Sequence, residues 1–197
     1  MVVLSVILLL IAAYLLGSIP SAVWIGKRYY GIDVREHGSK NAGATNTLRV
    51  LGKQAALPVF ALDVLKGFAA VTLMSLMKYS PAVGDNLLTI LKLLAVVAAV
   101  VGHIFPIFAD FRGGKGVATL VGAITGIYPQ IVFLCFAVWV LVFLASHYVS
   151  LASMTAGCCF PLFVVIYSSS EWSRIGDISF TFILFSFAIA FLLLWSH

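Results

Sequence analysis

The chain has 197 residues, of which 62% are hydrophobic and 10% are charged, and its mean hydropathy is +1.13. This composition excludes a water-soluble globular protein and predicts an all-α integral membrane protein, since the alternating pattern of a membrane β-barrel is missing. The net charge of +5 does not indicate nucleic-acid binding, because the basic residues lie beside apolar segments rather than among aromatic residues.

The first apolar segment, residues 2–25, resembles a signal peptide in its apolar character. A signal peptide carries positive charge before its apolar region, whereas here Lys27 and Arg28 follow it. We therefore predict a retained signal-anchor helix, kinked near Pro20 because proline has no backbone N–H. The polar segment 27–54 that follows is rich in Lys and Arg and is predicted to be cytoplasmic.

Six further apolar segments complete a bundle of about seven transmembrane helices in a single domain, residues 1–197. The pair 117–127 and 130–145 is interpreted as two short, tilted or partly embedded helices. Seven crossings put the amino terminus outside and the carboxyl terminus in the cytoplasm, in agreement with the basic inner loops. One bent helix over 117–145 would instead give an even number of crossings and separate the polar clusters. The six segments are 55–77, 87–108, 117–127, 130–145, 151–167 and 178–196.

A polar, glycine-punctuated run at residues 38–49 is the first candidate for a binding site. Glycines let backbone N–H groups approach an anion, Ser, Thr and Asn add neutral donors, and Arg49 supplies a permanent charge. A flexible loop has a similar composition, so this alternative stays open for the run taken alone. The predicted substrate-binding residues are Ser39, Asn41, Gly43, Thr45, Asn46 and Arg49.

A second run, at residues 111–119, repeats the combination of glycines and cations. A helix beginning at Val117 would direct unpaired N–H groups and the positive end of its dipole into this run. The spacing is not that of a Walker A loop, so ATP hydrolysis is not inferred. The predicted substrate-binding residues are Arg112, Gly113, Gly114, Lys115 and Gly116.

Three ionisable residues within apolar segments, Asp63, Lys66 and His103, are the candidate catalytic residues. Asp63 and Lys66 are spaced i, i+3 on one helix face, so they either neutralise each other or line a site in which Asp63 orients Lys66 or Arg49. His103 precedes the second run. It is either a structural histidine or a residue that handles a proton or contacts phosphate.

The seven-crossing topology brings Ser146, Ser150 and His197 to the same side as both glycine-rich runs, so we add them to the predicted substrate-binding residues. No Ser-His-Asp order, carboxylate pair or metal cluster stands out in the sequence. The three cysteines lie in apolar segments without metal-ligand spacing to any histidine, so no metal or cofactor is predicted. The predicted site binds anions and supplies no nucleophile.

Combined, these motifs resemble the bacterial membrane acyl-phosphate:glycerol-3-phosphate acyltransferase family. They occur in the order found in that family, from the first helix to the fourth, and residues 146–153 are similar to a further family motif. The sequence departs from the family pattern after the last helix, where the family continues with His, a basic residue, any residue and Asn, because the sequence ends at His197. The motifs are Gly-Ser-Ile-Pro at 17–20, Asp-Val-Arg at 33–35, residues 38–49, Asp-Val-Leu-Lys-Gly at 63–67, and residues 102–108 and 111–119.

The resemblance implies transfer of a fatty acyl chain from acyl phosphate to the 1-hydroxyl of glycerol 3-phosphate, which gives lysophosphatidic acid for phospholipid synthesis. It implies a multi-pass protein of the bacterial cell membrane, the inner membrane in a diderm, which we expect to be a monomer. It also suggests that the departing phosphate takes the hydroxyl proton. An activated donor agrees with a site that lacks a nucleophile. The alternatives are a small-anion transporter, which the absence of a repeated half disfavours, and a structural membrane subunit.

Overall fold

The computed structural model describes residues 2–169 and 180–195, and the regular structure of these residues is helical throughout. Three short 3-10 turns, at Val34–Glu36, Ser75–Tyr79 and Ile107–Ala109, accompany the longer helices. The α-helices of the described residues are α1 (Val2–Gly17), α2 (Ser21–Tyr30), α3 (Ala44–Leu51), α4 (Lys53–Met74), α5 (Asp85–Ile104), α6 (Val117–Thr125), α7 (Pro129–Ser146), α8 (Val149–Ser169) and α9 (Phe180–Trp195).

Five helical segments of the described chain are long and apolar enough to cross a membrane, and a shorter apolar helix covers Phe180–Phe191. The prediction of an all-α integral membrane protein is confirmed. α6 has nine residues, which rise about 14 Å, or roughly half of the hydrocarbon thickness. The count of seven crossings and the orientation of the termini therefore stay predictions. The five segments are Val2–Tyr30, Lys53–Tyr79, Asp85–Ala109, Pro129–Ser146 and Val149–Ser168.

The first predicted helix is divided in two. α1 ends at Gly17, α2 begins at Ser21, and Pro20 lies in the break between them. The predicted kink is therefore a complete interruption, because Pro20 cannot donate the backbone hydrogen bond that would continue α1. α2 continues past the predicted end at residue 25, so Lys27 and Arg28 lie in its last turn, where cations complement the helix dipole.

The polar segment 27–54 is more structured than the loop that we predicted. It contains a 3-10 turn and α3, and only residues 37–43 between them are irregular. Ala44 and Leu51, at the two ends of α3, pack against a buried cluster that includes Val34 and Val59. A helix of eight residues is marginal by itself, so this tertiary packing stabilises it and local sequence gives little sign of it.

Glycines let neighbouring helices of this region approach closely. A Cβ at Gly67 of α4 would overlap the carbonyl oxygen of Thr119, and a Cβ at Gly122 of α6 would overlap the backbone of α4. α1 and α5 approach each other in the same way at Gly17 and Gly102. Small residues allow such contacts between membrane helices, and here they bring Thr119 next to the polar residues of α4.

The chain divides into two compact units, residues 1–127 and residues 128–197. The first unit contains α1 to α6 and therefore both glycine-rich runs. The second contains α7 to α9, where Ile131, Val164 and Phe182 are fully buried and the Phe182 ring packs edge-on against Phe160. The prediction of one domain over residues 1–197 stays a prediction.

Candidate functional site

One buried side chain, that of Asn46, organises the first glycine-rich run. Its Nδ2 donates to the carbonyl oxygens of Val34 (2.9 Å) and His37 (3.1 Å), and its Oδ1 accepts from the backbone N–H of Ser39 (2.8 Å). Gly38, at φ +59°, lies so close to this Oδ1 that a Cβ there would overlap it. The structure therefore gives Asn46 a role in holding the run together, and its contact with substrate stays a prediction.

The other predicted binding residues of this run are accessible to a ligand. Thr45 and Arg49 are spaced i, i+4 on α3 and are both exposed. Ser39 is exposed as well, and Asn41 and Gly43 are half-buried. The first N–H groups of α3 have no acceptor within the helix, so this end of α3 is suited to an anion.

The second glycine-rich run folds back on the end of α5. The N–H of Gly113 donates to the carbonyl oxygen of Ile104 (3.1 Å), and that of Gly114 donates to the carbonyl oxygen of His103 (3.2 Å). A Cβ at Gly113 would overlap the same His103 oxygen, and a Cβ at Gly114 would overlap Nε2 of the His103 ring. These contacts give both glycines a packing role, and their predicted part in binding a ligand stays a prediction.

The exposed cations of this run lie on either side of its buried centre. Arg112 and Lys115 are exposed, whereas Gly114 and Gly116 are buried. Gly116 adopts φ +79°, a conformation that favours glycine, and α6 begins directly after it at Val117, as predicted. The two cations are therefore free to bind an anion even though the glycines are packed.

The backbones of the two runs are in contact. The N–H of Ala42 lies 3.5 Å from the carbonyl oxygen of Gly113, measured from nitrogen to oxygen. A Cβ at Gly114 would lie 2.9 Å from the carbonyl oxygen of Ala42. Two polar segments that are far apart in the sequence therefore meet within the first unit.

Asp63 and Lys66 form a buried ion pair on α4, in the same unit. Lys66 Nζ lies 2.8 Å from Asp63 Oδ1, and their side chains are 4% and 1% exposed respectively. Lys66 also donates to the carbonyl oxygen of Ile19 (2.8 Å), and the Ser21 hydroxyl donates to Asp63 Oδ1. The pair therefore holds the break between α1 and α2 against α4. Among the described residues, Asp63 makes its ion pair with Lys66 and makes none with Arg49.

His103 links this ion pair to the second run. Its Nδ1 lies 3.0 Å from Thr119 Oγ1, within hydrogen-bonding distance, and 3.7 Å from Asp63 Oδ1. Its Nε2 faces Gly114. The other oxygen of Asp63, Oδ2, is buried without a hydrogen-bond partner in the described part of the chain, as is the hydroxyl of Ser18.

The remaining predicted binding residues are not part of the first unit. Ser146 Oγ donates to the carbonyl oxygen of Val142 (2.7 Å) and accepts from the N–H of Tyr148 (3.2 Å), so it holds the end of α7. Ser150 is exposed in the first turn of α8. His197 lies outside the described residues. The part of all three predicted residues in substrate binding stays a prediction.

A salt bridge between Asp33 and Arg35, which we did not predict, lies just before the first run. Hydrogen bonds from Arg35 connect it to the second run. Arg35 binds the carboxylate of Asp33 through Nη2 (2.8 Å) and Nε (3.0 Å), and its Nη1 donates to the carbonyl oxygens of Ala109 (2.8 Å) and Arg112 (3.5 Å). Lys27 Nζ adds a second cation 3.1 Å from Asp33. The hydrogen bonds from Arg35 hold the pKa of Asp33 well below its usual range, and Asp33 raises the pKa of Arg35.

Asp33 and Arg35 lie in a motif that resembles the family, and neither was among the predicted site residues. Charged residues in a polar segment are usually solvated, so nothing in the composition indicated that Arg35 would be only 8% exposed. Ser21 and Thr119 were missed for a different reason. Their hydroxyl groups contact Asp63 and His103 respectively, and these contacts form only through the packing of α2, α4, α5 and α6.

Comparison with known proteins points to one family. A family model described as Glycerol-3-phosphate acyltransferase matches residues 7–197. The chain is 44% identical over 166 residues to the Glycerol-3-phosphate acyltransferase of Chlorobium phaeobacteroides, a match that covers 83% of this chain and 71% of that protein. It is 43% identical over 177 residues to Glycerol-3-phosphate acyltransferase 2 of Moorella thermoacetica, which covers 90% of this chain and 84% of the relative.

Two crystal structures of PlsY, an integral membrane glycerol 3-phosphate acyltransferase, have the same fold. One is the glycerol 3-phosphate form, with a TM-score of 0.79, and the other is the lysophosphatidic acid form, with a TM-score of 0.77. Each is 36% identical to this chain, and each match covers 98% of this chain and 88% of the solved one. From its sequence and its fold together, the chain belongs to the glycerol-3-phosphate acyltransferase family.

Proposed function

We propose that this protein transfers a fatty acyl chain from acyl phosphate to the 1-hydroxyl of glycerol 3-phosphate, which gives lysophosphatidic acid and inorganic phosphate. The observation that carries the proposal is the contact between the two glycine-rich runs. Arg49 belongs to the first run and Arg112 and Lys115 belong to the second, all three are exposed, and we propose that they serve one site where the runs meet. Membership of the family and the glycerol 3-phosphate form of the similar PlsY structure support the acceptor.

Two phosphate groups must be held in this reaction, one on each substrate. Three exposed cations on two neighbouring segments can neutralise much of that charge, and Arg49 and Arg112 can each bind a phosphate through two parallel hydrogen bonds. The N–H groups at the start of α3, which have no acceptor within the helix, are proposed to add neutral donors. An arrangement of this kind orients both substrates and stabilises charge that develops during transfer.

The proposal of acyl phosphate as the donor is supported by the surroundings of His103. In the described part of the chain, the hydroxyl bound to His103 is that of Thr119, which is 0% exposed and therefore inaccessible to a substrate carbonyl. An acyl phosphate is a mixed anhydride with a good leaving group, so direct transfer needs no nucleophile from the protein. This supports an activated phosphate donor over transfer through an acyl-enzyme.

The proposed step balances without a cofactor. The hydroxyl oxygen of glycerol 3-phosphate attacks the acyl carbon, and the bond from that carbon to the phosphate oxygen breaks. The phosphate leaves with the bonding electron pair and accepts the hydroxyl proton. Arg49, Arg112 and Lys115 are proposed to stabilise the charge on the acyl oxygen and the leaving phosphate. His103, Asp63 and Lys66 are proposed to act through the second run, which the His103 ring contacts.

We place this site at the cytoplasmic face of a bacterial membrane, in a monomer with seven crossings and an external amino terminus. The exposed cations of the two glycine-rich runs support this orientation, because basic residues are retained on the cytoplasmic side of membrane proteins. Glycerol 3-phosphate is charged and water-soluble, so it would reach the site from the cytoplasm. The acyl donor would reach the site from the bilayer.

The experiment that tests the proposal offers the purified full chain, in lipid vesicles, one acyl chain as acyl phosphate, acyl-coenzyme A or acyl carrier protein thioester. With glycerol 3-phosphate and a metal chelator present, we expect lysophosphatidic acid from acyl phosphate and not from either thioester. Glycerol, which lacks the phosphate, serves as the control acceptor and should give no product. Product with a thioester but not with acyl phosphate would overturn the donor, and anion flux without any acyl transfer would favour a transporter.

A further inference from the structure

We propose that Asp33 and Arg35 form a positioning pair, which holds residues 109–112 so that the cations of the second glycine-rich run are in place to bind phosphate. The ligand in this inference rests on the proposed function. The structural part of the inference, that the pair fixes the run, does not depend on it.

The contacts of Arg35 show that it shapes the run rather than binding a ligand. Asp33 occupies the Nε and Nη2 side of the guanidinium, and the carbonyl oxygens of Ala109 and Arg112 occupy Nη1. The residue is only 8% exposed. Its charged fork is therefore directed at the carboxylate and at two backbone groups of the second run, so it acts on substrate only through that run.

The backbone between those two carbonyl groups has a conformation that needs support. Asp110 and Phe111 adopt φ +55° and +57°, in the left-handed region, which is unfavourable for residues other than glycine and most of all for a bulky one. The N–H of Phe111 donates to Pro106 (3.0 Å), and that of Arg112 donates to Ala109 (3.1 Å). Arg35 binds the carbonyl groups on both sides of this strained pair, which makes it the side chain best placed to maintain the turn.

Asp33 gives the fork its direction. A buried guanidinium without a counter-ion would turn towards solvent, whereas the hydrogen bonds that Arg35 donates to the Asp33 carboxylate through Nε and Nη2 fix the plane of the fork and aim Nη1 at the run. A lysine carries the same charge but has no planar fork, so it cannot bind Asp33 and Ala109 in this geometry. The pair should therefore be sensitive to shape as well as to charge.

Two substitutions separate positioning from simple attraction of the anionic substrates. Arg35→Lys keeps the charge, so a model based on attraction predicts no change in KM. Asp33→Asn removes a negative charge, so that model predicts a lower KM for phosphate substrates. A positioning role instead predicts a higher KM for both variants, because each substitution releases the turn at 109–112.

We expect both variants to raise the KM for at least one phosphate substrate on the order of tenfold, with a smaller change in kcat, since a charge-assisted hydrogen bond to the run is lost. Amide hydrogen exchange of residues 109–113, measured without substrate, should become faster. Arg28→Gln is the matched control, because Arg28 is an exposed cation outside the site whose ring contact is with Tyr29. It should change neither quantity.

Unchanged KM values together with unchanged exchange in 109–113 would overturn the proposal, as would a lower KM in Asp33→Asn. A lower melting temperature with wild-type KM in the folded fraction would show a purely structural pair and also overturn it. If wild-type protein fails to transfer acyl groups, the proposed function is wrong. Faster exchange of residues 109–113 in both variants would still support the structural part, and unchanged exchange would refute it.

Discussion

The two glycine-rich runs have similar compositions but are built in different ways. The first is held by a side chain, since Asn46 makes three hydrogen bonds to the backbone around it. The second is held by its own backbone, which bonds to the end of α5, and by Arg35. The same residue types therefore have different functions in the two runs.

The glycines illustrate this difference. A Cβ at Gly43 in the first run would lie 3.2 Å from the side-chain nitrogen of Asn41, which can move aside. A Cβ at Gly114 in the second run would overlap the His103 ring and approach the backbone of Ala42. We therefore expect alanine to be tolerated at Gly43 and not at Gly114, so glycine content alone does not identify a phosphate site.

The largest effect is expected for Gly114→Ala. The added Cβ must displace the buried His103 ring, which should destabilise the protein by about 3 kcal/mol and lower the melting temperature in detergent. Gly84→Ala is the matched control, because a Cβ at Gly84 meets no atom within 4 Å. A wild-type melting temperature for Gly114→Ala would contradict the packing described above. A lower one with wild-type KM in the folded fraction would mean that Gly114 is architectural.

Asn46→Ala should have the next largest effect. It removes three hydrogen bonds made by a buried side chain and takes from the N–H of Ser39 its acceptor, which should lower stability by about 2 kcal/mol. Amide exchange at residues 34–39 should increase with it. Asn41→Ala, in a half-buried position of the same run, is the comparison. Its melting temperature should stay unchanged while KM rises, and equal losses of stability in the two variants would remove the distinction.

Much of this architecture could be predicted from sequence because it depends on local rules. Apolar segment length gives a helical membrane protein, the missing N–H of Pro20 gives the break after α1, and the glycine before Val117 gives the start of α6. The i, i+3 spacing of Asp63 and Lys66 on one helix indicated mutual neutralisation as one of two alternatives, and the structure shows that ion pair. Each of these predictions needed only neighbouring residues.

The features that sequence did not indicate depend on contacts between distant segments. α3 is stabilised by packing against Val34 and Val59, and the burial of Arg35 requires the carbonyl oxygen of Ala109, which is 74 residues away in the chain. The tight packing of the second run against His103 is likewise a property of the end of α5. Such contacts leave no periodic pattern or composition signal in either segment.

A smaller effect, on binding alone, is expected for Arg49→Lys. Arg49 is exposed on α3, so its replacement should leave the melting temperature unchanged. An ammonium group cannot reproduce the planar fork, so KM for one phosphate substrate should rise roughly tenfold if Arg49 binds that phosphate. Lys115→Ala tests the second run in the same assay, and its defect should shrink as salt is added, because an exposed charge is screened. Wild-type kinetics for Arg49→Lys would remove Arg49 from the site.

The smallest expected effect is on the pH dependence of stability, and it concerns the ion pair of Asp33 and Arg35 that holds the second run. The pKa of Asp33 is lowered in the folded protein, first of all by the side-chain hydrogen bonds from Arg35. A lowered folded-state pKa contributes stability above the unfolded-state pKa, about 4, and that contribution is lost as pH falls below it. Asp33 should therefore add no pH dependence to stability near neutrality and should contribute to acid lability below about pH 4.

Melting temperatures measured from pH 7 to pH 3 should decline less steeply for Asp33→Asn than for wild type. Asn46→Ala, which removes no titrating group from the first run, should keep the wild-type slope. Equal slopes of melting temperature against pH for wild type and Asp33→Asn would show that protonation of Asp33 does not cause the loss of stability in acid.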